Sequence, residues 1–208
     1  MKTRLTFALS KGRLFDDSLE LLRIAGFPIA GDAGRRLVVE TGELRFLLVK
    51  DRDVPTYVEH GVADAGIVGR DVLLESRSDV HQPLDLGFGR CRLVVAAASR
   101  ELVDAGEHAS LRVATKYPRV ALTHFLSRGV SAEIVSLSGS VELAASLGLA
   151  HAIVDVVETG RTLKENGLVV VDEIAECSAR LIVNRAAAKS HRVAIDELVE
   201  ALAREVAA

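Results

Sequence analysis

Tryptophan is absent from this chain of 208 residues, methionine occurs once, cysteine twice, and aromatic side chains make up 4%. A core of any size must therefore be filled by Leu, Val, Ile and Ala. Cys91 and Cys177 are far apart in sequence and neither belongs to a Cys-x-x-Cys pair, which argues against a zinc site and for two thiols in a reducing compartment. An excess of one charge is also lacking: the formal net charge is −3, with both signs interspersed. That leaves no basic footprint for nucleic acid and no acidic tail, so an anionic ligand must be held by a local cluster. No stretch approaches the roughly 20 apolar residues of a membrane span. The opening "MKTRLTFALSKGR" has only the short apolar-leaning run 5–9, too little for a signal peptide core. These features read as a cytoplasmic protein that binds neither nucleic acid nor membrane. The sequence shows no metal-ligand cluster, no Ser/His/Asp series and no reactive-cysteine pattern, and His60, His81, His108, His124, His151 and His191 are scattered.

What is present is ordinary in bulk, 49% hydrophobic and 26% charged, with length for one large domain or two small ones. "RLTFALS" (4–10) reads as a short buried strand, and "KGRLFDDSLELLRIAGF" as a helix stopped at Gly26. "RRLVVETGELRFLLVK" reads as a hairpin around Thr41 and Gly42. Asp53 is placed to cap a short helix that tolerates Pro55 and ends at Gly61; "AGIVG" follows as a strand, and Asp71 is placed to cap the next helix. "CRLVVAAAS" (91–99) is a further strand. The alternation then restarts with strand 111–115, helix 118–127, strand 132–137, a helix from Val141 and strand 152–156. Two strand runs lie inside "LVVVDEIAECSARLIVNR", and one final helix is predicted over about 187–206. Such alternation indicates an α/β fold with largely parallel strands. "RCRLVVAAAS" and "CSARLIVNRA" form a matched apolar pair around the middle segment. They predict two α/β lobes, residues 1–91 with 179–208 and an inserted lobe 92–178. Two strands cross between the lobes, and a ligand cleft lies between them.

Five turns rich in Gly, Ser, Thr, Lys and Arg fall at predicted strand-to-helix junctions. In "AIVDVVETGRTL" a strand delivers Asp155 to its carboxyl end, where α/β sites form. Thr159, Gly160, Arg161 and Thr162 then offer successive backbone N–H groups, hydroxyls and a helix start, which suit a phosphate monoester, while Asp155 suits ribose hydroxyls. The same residues also fit an ordinary capped helix. "SKGRL" places Lys11, Gly12 and Arg13 as a polyphosphate clamp or a solvated basic turn. "DAGIVGRD" offers Gly66, Gly69 and Asp71 to a ligand, or only a tight strand–helix turn; it is neither G-x-G-x-x-G nor a P-loop. Ser138, Gly139 and Ser140 precede a helix whose N-terminus faces a nucleotide, with Glu142 the one acidic group nearby, or they form a plain serine cap with a first-turn acid. "ATKYP" sets Lys116 and Tyr117 at a strand end, as a site turn or as an ordinary pre-proline turn. Each turn is a weak signal alone, and their shared placement is what points to a site.

In order along the chain, "ALSKGRL", "RDVPTYVEHGVADAGIVGRDVL", "ATKYP", "SGSVELAASLGLAHAIVDVVETGRTLKENGL" and "ARLIVNR" resemble the short form of the ATP phosphoribosyltransferase family of histidine biosynthesis, and they cover most of the sequence. The resemblance implies a type II periplasmic-binding-protein-like α/β fold. It implies a transferase that joins ATP, through adenine N1, to phosphoribosyl pyrophosphate with release of pyrophosphate, and with Mg²⁺ carried by the substrate phosphates. Asp155, Glu158, Thr159, Gly160, Arg161 and Thr162 are then expected to hold phosphoribosyl pyrophosphate. Lys11, Gly12, Arg13, Gly69, Asp71 and Lys116 are expected to hold ATP, and Lys11, Arg13, Glu142 and Asp155 to take part in the chemistry. Glu142 either receives a proton from the adenine 6-amino group or only holds a ligand. With a single helix at the end and no room for a regulatory domain, the chain is expected to form a hetero-oligomer with a regulatory subunit resembling histidyl-tRNA synthetase, and a homodimer within it. The rival reading is a non-enzymatic small-anion-binding protein of the same two-lobe fold.

Overall fold

The structure, a computed structural model, describes residues 4–28, 37–42, 44–104 and 111–207. The chain opens with β1 (Leu5–Ser10), α1 (Phe15–Ile24), β2 (Val38–Thr41), β3 (Leu44–Val49), α2 (Val54–Glu59), β4 (Ala65–Gly69), α3 (Arg70–Ser76) and β5 (His81–Asp85). The middle contributes β6 (Cys91–Ala97), α4 (Glu101–Asp104), β7 (Leu111–Thr115), α5 (Pro118–Ser127), β8 (Ala132–Ser136) and α6 (Val141–Ser146). It continues through β9 (Ala152–Val157), α7 (Arg161–Glu165) and β10 (Val169–Cys177). β11 (Ala179–Val183), α8 (Ala187–Ser190) and α9 (Arg192–Val206) close the chain. Two compact units result, residues 1–90 with 178–208, and residues 91–177. No helix of the described residues is long and apolar enough to cross a membrane.

The first unit holds a six-stranded sheet in the order β2-β3-β1-β4-β11-β5. Period-two alternation sorts its side chains. Leu5, Phe7 and Leu9 of β1 and Leu44, Phe46 and Leu48 of β3 pack in one cluster with Leu22 of α1 and Ile195, Leu198 and Leu202 of α9. The intervening Ala8, Leu47, Val68 and Ile182 pack with Val54 and Val58 of α2 and Val72 and Leu73 of α3. Phe7 and Phe46 are register partners and meet edge to face at 5.9 Å; burying each ring contributes about 2 kcal/mol. Gly66 belongs to this packing, since a Cβ there would lie 2.8 Å from the Ala8 carbonyl oxygen. It permits close approach of β1 and β4, not of a ligand.

The second unit holds a five-stranded sheet in the order β10-β6-β9-β7-β8. β7 runs parallel to β8 and β9, and β6 runs antiparallel to β9 and β10. On one face Val94, Ala96, Ala114, Ile153 and Val157 pack beneath Val141 and Ala144 of α6 and Leu163 of α7. Cys91 and Cys177, distant in sequence, stand opposite each other in the β6–β10 ladder, both buried and outside any disulfide.

Several expectations are corrected. The sheets are mixed, because β2–β3, β4–β11, β5–β11, β6–β9 and β6–β10 are antiparallel; hydrophobic alternation reports burial but not strand direction. The helix predicted over about 187–206 is two, broken at His191 with φ −117° and ψ 30°, where the ring Nδ1 meets Asp64 Oδ1 at 3.2 Å. Gly69, not Asp71, occupies the cap position of α3, and Asp71 lies in the first turn. Asp53 does stand at the cap position of α2, but its side chain makes no capping bond. β5 went unpredicted because "HQPLD" carries almost no buried side chain. Arg35, Arg36 and Glu43 of the predicted hairpin, and His108, lie outside the described residues.

Candidate active site

Strand direction gathers the predicted turns at carboxyl ends of parallel strands, where α/β proteins form sites. In the first unit β1 is parallel to both β3 and β4. Lys11, Gly12 and Arg13 therefore leave the same end of the sheet as Gly69 and Asp71. The Lys11 N–H donates to the Val49 carbonyl at 3.4 Å, and the Phe15 N–H to the Gly12 carbonyl at 2.9 Å as α1 begins. Arg13 is exposed, and its Nη1 donates to the Gly89 carbonyl at 3.0 Å, which ties the basic turn to the segment just before β6. Asp71 is buried and folds back over the strand end, so that a Cβ on Gly69 would collide with Asp71 Oδ1. The space above Gly69 is used by the protein's own carboxylate.

In the second unit Ala114 pairs with Ile153 and Thr115 with Val154 in the parallel β7–β9 ladder. Continuing that register by one residue sets Lys116 beside Asp155. Lys116 Nζ lies 3.3 Å from Asp155 Oδ1, and the Val156 N–H donates to the same oxygen at 2.8 Å. Asp155 alternates with Ile153 and Val157, so it shares the face covered by α6 and α7. Glu142 stands in the first turn of α6. Burial pushes the Asp155 carboxyl above the ordinary carboxylate range; the Lys116 ammonium and the Val156 N–H pull it back, and the Glu142 charge pushes it up further. A carboxylate kept out of water beside one ammonium and near a second carboxylate costs stability, and such arrangements concentrate at functional sites.

The connection after β9 continues from this acid. Gly160 is left-handed at φ +79°, and α7 begins at Arg161. A Cβ at 160 would meet nothing closer than Val157 Cγ1 at 3.8 Å, so glycine is required for the backbone angle and not for space. Thr159 Oγ1 accepts from the Arg161 N–H at 3.4 Å, and the Lys164 N–H donates to the Gly160 carbonyl at 3.1 Å. The amides of residues 161–163 precede that first helical bond, with the Arg161 N–H turned to Thr159 Oγ1; amides at a helix start beside a left-handed glycine are of the kind that can take an anion. Leu163 roots the turn in the core. Ser140, before α6, is also left-handed at φ 49° and makes no side-chain capping bond, so the plain serine cap is not formed. A non-glycine residue in that region is strained, as residues near functional sites often are.

Lys116, Glu142 and Asp155 are thus brought together, and Glu158, Thr159, Gly160, Arg161 and Thr162 follow on the same connection. Lys11, Gly12, Arg13, Gly69 and Asp71 form a separate group in the first unit. Thr115 and Asn184 were missed from sequence. Thr115 is wholly buried and bonds both the Val154 carbonyl and the Tyr117 N–H; a hydroxyl in the last strand position before a lysine was the available signal. Asn184 closes the "LIVN" run of β11 with a buried amide. Among the described residues no three His, Cys, Asp or Glu side chains converge, and the Asp155 carboxylate already faces an ammonium. That donor set does not suit a divalent cation held by the protein itself.

A family model described as ATP phosphoribosyltransferase matches residues 50–204. An ATP phosphoribosyltransferase of Sorangium cellulosum is 51% identical, with 97% of this chain and 96% of that protein covered. A chain of the solved ATP phosphoribosyl transferase (HisG:HisZ) complex from Thermotoga maritima is similar at a TM-score of 0.86 and 36% identity, over 97% of this chain and 98% of that one. In fold alone, the periplasmic VFT2 domain of Bordetella pertussis BvgS is also similar, at a TM-score of 0.58 and 13% identity over 98% and 92% of the two chains.

Proposed function

The chain belongs to the ATP phosphoribosyltransferase family, and on that premise we propose that its second unit carries the phosphoribosyl half of the site. Asp155 engages the ribose hydroxyls, and Thr159, Gly160, Arg161 and Thr162, preceded by Glu158, take the 5-phosphate. Lys116 serves the same half through its pairing with Asp155. Lys11, Gly12 and Arg13 serve ATP, and Gly69 with the buried Asp71 shapes the neighbouring turn. The observation that carries this reading is the pairing of half-buried Lys116 with buried Asp155, 3.3 Å apart, on the strand that runs into the turn with left-handed Gly160.

The chemistry asks little of a base. Adenine N1 has its own lone pair; it bonds to ribose C1 while the bond from C1 to pyrophosphate breaks and its electrons leave with the pyrophosphate. The sugar is oxocarbenium-like between the two, so positioning and stabilisation of the departing charge dominate. Asp155 holds the ribose in line, and Lys11 and Arg13 supply positive charge to the polyphosphates. Glu142 accepts the proton that the 6-amino group sheds once N1 is alkylated. Magnesium enters as part of the substrates, on their phosphates. A non-catalytic anion binder of the same fold has no use for a buried carboxylate next to a phosphate turn, which repels the ligand it would capture.

The Thermotoga HisG:HisZ complex supports assembly of this chain with a regulatory subunit; we further propose that this subunit resembles histidyl-tRNA synthetase, that the chain is a homodimer within the assembly and that it works in the cytoplasm. The test mixes the chain with that subunit, ATP and phosphoribosyl pyrophosphate and follows the absorbance of N1-substituted adenine. Product is expected, and its absence with the partner present overturns the reading.

A further inference from the structure

Lysine is a poor fixed point. Its stem has four rotatable bonds, and Lys116 sits in a turn, not in a strand or helix. Something must hold that turn against β9 if Lys116 is to meet Asp155. The residue in position to do so is Thr115, the last of β7 and fully buried. Its Oγ1 donates to the Val154 carbonyl at 2.6 Å and accepts from the Tyr117 N–H at 2.8 Å. Val154 directly precedes Asp155, and Tyr117 directly follows Lys116. One hydroxyl therefore grips the backbone on the far side of each member of the ion pair.

We propose that Thr115 is a positioning residue of the phosphoribosyl site, setting the Lys116–Asp155 pair through its two-way hydrogen bond. The inference rests on the reading of Asp155 as the ribose ligand. Valine has the same shape but can neither donate nor accept, so it would leave the Val154 carbonyl and the Tyr117 N–H without their shared partner. The turn would then be free to slide, and the pair would lengthen. The charged groups acting on Asp155 are Lys116 from the β7–α5 turn and Glu142 from α6; β6 presents the apolar Val94 opposite it. Loss of Lys116 from its place leaves only the Val156 N–H to oppose burial and Glu142, so Asp155 should ionise at higher pH.

The test uses the chain with its regulatory subunit and compares Thr115→Val, Thr115→Ala, Thr115→Ser, Lys116→Met and Asp155→Asn. Thr115→Val is expected to lower kcat/KM for phosphoribosyl pyrophosphate about tenfold, a loss of about 1.4 kcal/mol. The KM for ATP should be little changed. The acid limb of the kcat/KM profile should move to higher pH in Thr115→Val and in Lys116→Met alike. The double variant should be no worse than Lys116→Met alone, because both act on one pair. Thr115→Ser should restore most of the rate and the wild-type profile. A folded Thr115→Val with the wild-type profile overturns the proposal. So does a serine variant as impaired as valine, or effects that multiply in the double variant. Hydroxyl-less variants that merely unfold, with a normal profile in the fraction that remains folded, also overturn it in favour of a purely structural role. Asp155→Asn separates the two levels. If it keeps wild-type turnover, the site reading itself falls; if it is inactive while Thr115→Val is normal, only the positioning role falls.

Discussion

Asn184 in the first unit and Asp155 in the second are almost equally buried, at 7% and 6% exposure, yet they are held in opposite ways. The Asn184 amide is fully used. Its Nδ2 donates to the Val58 carbonyl at 2.7 Å and the Glu59 carbonyl at 3.1 Å, and its Oδ1 accepts from the Ala186 and Ala187 N–H groups, both at 2.9 Å. It ties the end of α2 to the start of α8 without any charge. Asp155 is a charge, and both its contacts to Lys116 and to the Val156 N–H fall on one oxygen, Oδ1. A neutral polar group with its partners in place adds to stability, whereas a buried carboxylate pressed by Glu142 subtracts from it. Burial alone does not distinguish a structural residue from a working one; the completeness and charge of its partners do.

The largest expected effect tests the working member. Asp155→Asn should lower kcat/KM by about a thousandfold, about 4 kcal/mol, without lowering the melting temperature at neutral pH. Burial raises the Asp155 pKa, so the native state keeps that proton to higher pH than the unfolded chain does. Its stabilising contribution is therefore complete below the ordinary carboxylate pKa and is lost as pH rises through the native value. An amide cannot ionise and escapes that loss. Thermal unfolding measured alongside steady-state rates checks both halves, and an Asp155→Asn protein that unfolds would put Asp155 in the same structural class as Asn184.

Asn184→Ala is the converse. Four backbone groups lose their partner, so about 3 kcal/mol of stability should go, while the rate per folded molecule stays at the wild-type level. Chemical denaturation with an activity assay of the folded fraction reads this out. A variant of undiminished stability but low activity would erase the contrast.

The two residues were not equally legible in sequence. Asp155 stood out because an acid followed an apolar run and preceded Thr-Gly-Arg-Thr, a pattern with a local meaning. Asn184 is only half local: the Ala186 and Ala187 N–H groups follow it directly, but the carbonyls that use up its Nδ2 belong to Val58 and Glu59 at the end of α2, more than a hundred residues earlier. The same limit explains the other misses. Lys116 was assigned to a turn at a strand end, but only the β7–β9 register puts it beside Asp155, and register between non-consecutive strands leaves no local trace. Cys91 and Cys177 read as unrelated thiols for that reason too. Strand positions other than β5, the helix at Pro118 and the hairpin around Gly42 were legible because period and turn chemistry are local. Strand direction and the break at His191, which depends on Asp64, were not.

A smaller effect sharpens the comparison inside the second unit, between the buried acid and the exposed turn that follows it. Thr162 is exposed at the start of α7. Thr162→Ala removes one hydroxyl from the proposed 5-phosphate cradle, so the KM for phosphoribosyl pyrophosphate should rise about tenfold, as the loss of one hydrogen bond to a charged group implies. The KM for ATP and the melting temperature should hold. Isothermal titration with each substrate separates the two, and equal losses for both would detach this turn from the phosphoribosyl half.

The smallest expected effect sets Asp155 against a second buried titratable group, His124 of α5. Arg128 can only donate, so its Nη1, 3.0 Å from His124 Nδ1, makes that nitrogen the acceptor. The ring proton then sits on Nε2 and faces Asp172 Oδ2 at 3.2 Å. Burial lowers the His124 pKa first, the Arg128 charge lowers it further, and Asp172 opposes them without winning. The native ring therefore stays neutral where the unfolded chain takes up a proton. Stability from this group is present above the ordinary histidine pKa of about 6.5 and is lost as pH falls through the native value. Asp155 has the reverse slope: its contribution falls as pH rises, whereas that of His124 falls as pH drops, so the two groups oppose each other. His124→Gln keeps a donor toward Asp172 but cannot titrate, and its melting temperature should fall less steeply than that of the wild type between about pH 7 and pH 5.5. Equal slopes would mean that His124 titrates in the native protein as it does in the unfolded chain, and the opposition between the two groups would vanish.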